Sequence, residues 1–169
     1  LANNVLFSVF AFVVLLGTVF PLVVEALQDR TIIVGEPFFD RLTIPIGITM
    51  LTIMAIAPVL PWRKASQELL STRLFWPAWC GVWALAGSVL VGATGFAPRL
   101  TFAMGGFAAG SALRQVVLAT RRQGLRGLVG RANGGMIVHL GVIIISVALA
   151  ASNSFTHSQE LNLEVGKVA

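Results

Sequence analysis

Charge is what this sequence has least of. Asp, Glu, Lys and Arg make up 11% of its 169 residues, while 56% are hydrophobic and mean hydropathy is +0.86. Soluble domains carry about 25% charged residues, so a soluble globular class is excluded and an integral membrane protein is expected. Cysteine is almost absent too. Cys80 stands alone, which rules out an internal disulfide, and there is no Cys-x-x-Cys. The chain therefore has no dithiol redox centre and no covalent haem attachment motif of its own. A lone cysteine in an apolar segment behaves as a small hydrophobe. No catalytic triad, metal-ligand cluster or phosphate-binding glycine loop occurs either. The net charge of +5 falls mostly in two short loops. That clustering fits membrane topology rather than a polyanion, and no nucleic-acid partner is expected.

What is present is a series of long apolar runs. Five are long enough to cross a hydrocarbon layer of about 30 Å as helices, over about 5–27, 42–60, 75–97, 100–119 and 134–152. None alternates strictly, which disfavours a barrel strand. The fold class is thus all-α, a bundle of five transmembrane helices over residues 1–152. The loop after the second helix carries Arg63, Lys64 and Arg73 against Glu68, and the loop after the fourth carries Arg121, Arg122, Arg126 and Arg131 with no acid. Both fall on one side of an alternating path, so the positive-inside rule predicts cytoplasmic basic loops and a C-terminal tail outside. In that tail, Gln159 to Gly166 alternates polar and apolar residues, which predicts the start of an extracytoplasmic β-rich region over 153–169. Leu1 at the start and a polar segment just begun at the end predict a piece of a longer protein.

The residue that stands out is His139, within Gly134-Gly135-Met136-Ile137-Val138-His139-Leu140-Gly141. An imidazole in hydrocarbon is costly unless used, so an intramembrane histidine points to a function. Gly135, Ser146 and Ala150 share its helical face. Small residues there could admit a flat macrocycle with His139 as axial ligand. They could equally let a neighbouring helix approach, with His139 as a polar cross-link, and proton transfer is a third use. His157 cannot be a second ligand on the same helix, because eighteen residues separate the two by roughly 27 Å. Arg114 follows Gly106-x-x-x-Gly110 on one face, where it would pair a helix partner or a haem propionate, or snorkel to the interface. Trp62, Trp76, Trp79 and Trp83 suit an interfacial belt. Glu25 suits an interfacial carboxylate. The loop Val34 to Arg41, with Phe38 and Phe39 after Pro37, suits a membrane surface or a partner.

Several motifs together resemble the CcmF family of cytochrome c-type biogenesis haem lyases. They are Leu15-Leu16-Gly17-Thr18-Val19-Phe20-Pro21-Leu22, Val34-Gly35-Glu36-Pro37-Phe38-Phe39, Pro58-x-x-Pro61-Trp62 and Gly135-Met136-Ile137-Val138-His139-Leu140-Gly141, in the family's order. The resemblance implies a multi-pass protein of the bacterial cytoplasmic membrane that binds haem and delivers it to apocytochrome c. It implies haem b as cofactor, with His139 as one axial ligand to the haem iron. Implied partners are membrane lipid, a haem chaperone, apocytochrome c and its thiol-presenting maturation subunits, and the missing upstream part of the same protein. The family's tryptophan-rich haem-handling motif, its outer histidines and its other membrane histidine find no counterpart here. A fragment from the C-terminal half, inactive alone as a lyase, is therefore expected. A non-haem transport or scaffold module is the alternative.

Overall fold

The computed structural model describes residues 1–60, 67–124, 126 and 131–156, with only the backbone described at 67–69, 131 and 132. Five long helices follow one another: α1 (Ala2–Gln28), α2 (Glu36–Ile56, prolonged by a 3-10 turn over Ala57–Val59), α3 (Gln67–Leu90), α4 (Phe96–Gln123) and α5 (Arg131–Phe155). No strand occurs among the described residues, so the all-α class holds. Among the described residues four helices, α1, α2 with its turn, α4 and α5, are long and apolar enough to cross a membrane. The helix outside that set is α3, not the glycine-rich α4. Polar residues in its first two turns, then Pro77 and three tryptophans, dilute its apolar character.

Two boundaries move. α2 begins at Glu36, so Val34 to Arg41 is not a loop. Gly35 caps the helix in an extended conformation and Pro37 sits in the first turn, where its missing N–H costs nothing. Phe38 and Phe39 meet edge to face at 5.4 Å. A Cβ at Gly17 of α1 would fall 2.6 Å from the Phe39 ring. These half-buried aromatics pack against α1 from a helix, which corrects the expectation of a loop there. The second shift is the α3–α4 turn, which falls at 91–95 rather than near residues 97–100. Gly92 (φ 86°) and Gly95 (φ 83°) take the left-handed region there, which suits glycine.

α4 is the hub. It packs against α3, α5 and α2, while α1 rests on α2. A Cβ at Gly106 would meet Ala84 at 2.4 Å and the Cys80 carbonyl at 2.7 Å; one at Gly110 would meet Cys80 and Pro77 at 3.0 Å. One at Gly105 would meet Val147 of α5 at 2.8 Å. The glycines thus let backbones approach closely, the usual basis of helix association in lipid. Leu51 and Ala55 of α2, Ala108 of α4 and Ile143 of α5 form the buried cluster where three helices meet.

Polar contacts fix both ends of the bundle. At one end Gln115 Nε2 donates to the Pro58 carbonyl (2.5 Å) and Arg73 Nη1 to that of Val59 (3.4 Å), covering carbonyls that the end of α2 leaves free. At the other, the Thr94 N–H donates to Ser154 Oγ (2.7 Å), Ser154 Oγ to the Thr94 carbonyl (3.1 Å), and Thr94 Oγ1 to the Ser154 carbonyl (3.0 Å). Ser154 is buried. Ser154→Ala removes both hydrogen bonds between Ser154 Oγ and the Thr94 backbone and is expected to cost about 1–3 kcal/mol, at about 0.5–1.5 kcal/mol per bond, read as a lower thermal midpoint. α5 itself runs to Phe155, past residue 153, where the outer region is expected to start. The alternating segment and His157 lie outside the described residues.

Candidate functional site

α5 turns one face to the bundle. Asn133, Ile143, Ala150 and Ser154 are buried on it, with Met136, Leu140 and Val147 half-buried between them. The three-and-four spacing is that of a helix seam. His139 stands at the edge of this seam and is half-buried. Its Nδ1 lies 2.6 Å from the Gly135 carbonyl one turn earlier. A carbonyl only accepts, so Nδ1 carries the proton and donates. The lone pair is then on Nε2, the ring atom free to bind a metal.

The space beside the ring is open. A Cβ at Gly135 would meet nothing within 4 Å, in contrast to Gly105, Gly106 and Gly110. The neighbours expected in sequence are sorted by helix phase. At about 100° per residue, Gly135 and Ser146 flank His139, whereas Gly141 is turned to the far side of α5. Ala150 is buried against the bundle. Ser146 Oγ donates to the Val142 carbonyl at 2.9 Å. A cross-link to a neighbouring helix would need a polar group across from the ring. Among the described residues the hydrogen bond of His139 goes to its own helix instead.

Arg114 is half-buried and follows Gly110 by one turn on the face turned to α3. It lies nine residues, two and a half turns, past Gly105, which touches α5. The structure therefore sets Arg114 and His139 on opposite sides of α4 and does not bring them together. Trp76, Trp79 and Trp83 point outward from α3 at 70%, 44% and 70% exposure. Phe75 stands edge-on to Trp76 and Trp79. An outward aromatic stripe of this kind suits a membrane interface. Trp62, Arg63 and Lys64 lie outside the described residues. Glu25 is exposed near the end of α1. No group of three His, Cys, Asp or Glu side chains gathers among the described residues, so any iron bound at His139 would depend on that single protein ligand and a group from elsewhere. Sequence reasoning missed Ser111, buried in α4 with no hydrogen-bond partner for its hydroxyl. Its only signal is a lone hydroxyl within a run of Gly and Ala.

Comparison with known proteins gives a consistent result. The chain is 30% identical, over 99% of its length, to the cytochrome c-type biogenesis protein CcmF of Pseudomonas fluorescens. It is 30% identical over 98% of its length to the cytochrome c-type biogenesis protein CycK of Rhizobium meliloti. The CcmF protein of Pseudomonas aeruginosa is 26% identical over 98% of the chain. The chain belongs to the CcmF family. It spans about a quarter of the length of these CcmF and CycK relatives, 26% in each case. No family model matches the chain, and no solved structure does. With its apolar helices, CcmF-family membership makes this a multi-pass membrane protein.

Proposed function

We propose that this chain is a membrane-embedded part of a cytochrome c haem lyase, and that His139 supplies one axial ligand, through Nε2, to a haem b. The observation that carries the reading is the local geometry of His139. Its Nδ1–H is held by the Gly135 carbonyl, its Nε2 is unengaged among the described residues, and the adjacent glycine has nothing against it. An axial histidine is commonly fixed this way, by a hydrogen bond from its other ring nitrogen. An iron porphyrin bound there would supply one-electron chemistry. The chain's own residues would orient the imidazole and leave space beside it. The second axial ligand and the outer face that receives haem and apocytochrome c would belong to the part of the protein this chain does not span. Partners there would be a haem chaperone and the thiol-presenting maturation subunits.

Arg73, Arg121, Arg122 and Arg126 gather at the end of the bundle where α2 finishes and α5 starts. The positive-inside rule supports a cytoplasmic face at that end, within a bacterial cytoplasmic membrane. The test of the ligand reading is spectroscopic. In the full-length protein, His139→Ala is expected to abolish the low-spin haem b spectrum. A low-spin spectrum that survives the substitution sinks the assignment.

A further inference from the structure

We propose that Ser111 binds a buried water molecule, shared with the backbone carbonyl of Met54 across the α2–α4 interface. Ser111 is fully buried in the middle of α4, and its Oγ has no hydrogen-bond partner among the described residues. That sets it apart from the other helical hydroxyls. Thr18, Thr43, Thr52, Thr101 and Ser146 each donate to the carbonyl four residues back, the ordinary outlet for such side chains inside a helix. A hydroxyl buried in a membrane protein without that outlet must find another acceptor.

An acceptor of the right kind lies at the same depth. Ala55 and Ala108 share the buried cluster, and Gln115 reaches the Pro58 carbonyl. Ser111 falls between positions 108 and 115 and therefore stands level with residues 55–58 of α2. There α2 tightens from an α-helix into a 3-10 turn. Ala57 N–H still donates to the Ile53 carbonyl. The next carbonyl, that of Met54, would take its bond from residue 58, but Pro58 has no N–H. A buried hydroxyl without an acceptor thus stands level with a carbonyl whose α-helical donor position is a proline, with no direct bond from the hydroxyl. Gln115 adds a third group, since one N–H of its amide goes to Pro58 and the other is left over. Two to four polar partners are what a buried water requires. Ordered water is also one of the ways a proline break is tolerated within a membrane helix.

The water would tie the broken end of α2 to α4. It would also lie near the depth of His139, which is one turn from Ile143 of the same buried cluster. The test is a double-mutant cycle on the thermal midpoint of the full-length protein. Ser111→Ala is expected to lower it by about 1–2 °C. Pro58→Ala gives Met54 its helical donor back, and in that background the Ser111→Ala loss is expected to vanish. A Ser111→Ala midpoint equal to or above that of the parent protein overturns the proposal. So does an equal loss in both backgrounds, which would mark a hydroxyl bonded within its own helix. A second readout needs no substitution at Pro58: magnetisation transfer from water to the Ser111 methylene protons, expected in the parent protein and fatal to the proposal if absent.

Discussion

Gly106→Val is expected to prevent the bundle from assembling. A side chain at that position would begin with a Cβ 2.4 Å from the Ala84 Cβ and 2.7 Å from the Cys80 carbonyl. Neither is the end of a flexible side chain, so α3 and α4 would have to move apart along their whole seam. Separation there also pulls on Gly110, whose missing Cβ lies 3.0 Å from Cys80 and Pro77. Overpacking a tight core costs about 1–3 kcal/mol, and a backbone obstruction at the hub helix is expected at the top of that range or beyond it. The measurement is the yield of folded protein in detergent and its thermal midpoint. Gly87→Ala is the contrast: nothing lies within 4 Å of a Cβ there. Helix propensity alone then predicts a gain of about 0.5–1 kcal/mol. Equal behaviour of the two variants would refute the account of α4 as a glycine-packed hub.

The second large effect concerns the imidazole itself. His139→Gly in the full-length protein is expected to lose low-spin haem b, and millimolar imidazole is expected to restore it. The substitution leaves a gap the size of the lost ring, beside a glycine that already faces open space. Free imidazole can repeat the contact proposed for Nε2, on iron, and the one made by Nδ1–H, which donates to the Gly135 carbonyl at 2.6 Å. 1-Methylimidazole keeps the first contact and lacks the second. One neutral hydrogen bond contributes about 1 kcal/mol, so it should restore the spectrum at about five-fold higher concentration. Equal potency of the two ligands would remove Gly135 from the role given to it here.

Much of this was legible in the sequence, and the reasons are local. His139 was visible because one imidazole in an apolar run has no cheap explanation. Gly106 and Gly110 were visible because their spacing is a geometric requirement of close helices, which the contacts to Cys80 and Ala84 meet. Other features were hidden by compensating signals. Glu36, Pro37, Asp40 and Arg41 look like a loop by polarity, yet Pro37 in a first turn favours the helix that forms. The α3–α4 turn is hidden because Val91, Ala93 and Phe96 keep the apolar run going while Gly92 and Gly95 change its direction. Apolarity and centrality also ran in opposite senses. α4 is the least apolar of the four spanning helices and the most buried, since it faces other helices more than lipid. The opposite placement of His139 and Arg114 needed the phase of two helices about a third, which no single segment contains.

Time enters through the Thr94–Ser154 clasp. Its two residues are 60 positions apart in the chain. At about 5–20 residues per second of synthesis, the ribosome delivers the second partner about 3–12 s after the first. For part of that interval α4 has been made and α5 has not, so the Gly105 side of α4 has no helix to cover it. Among the described helices α5 is the last made, and it arrives carrying His139.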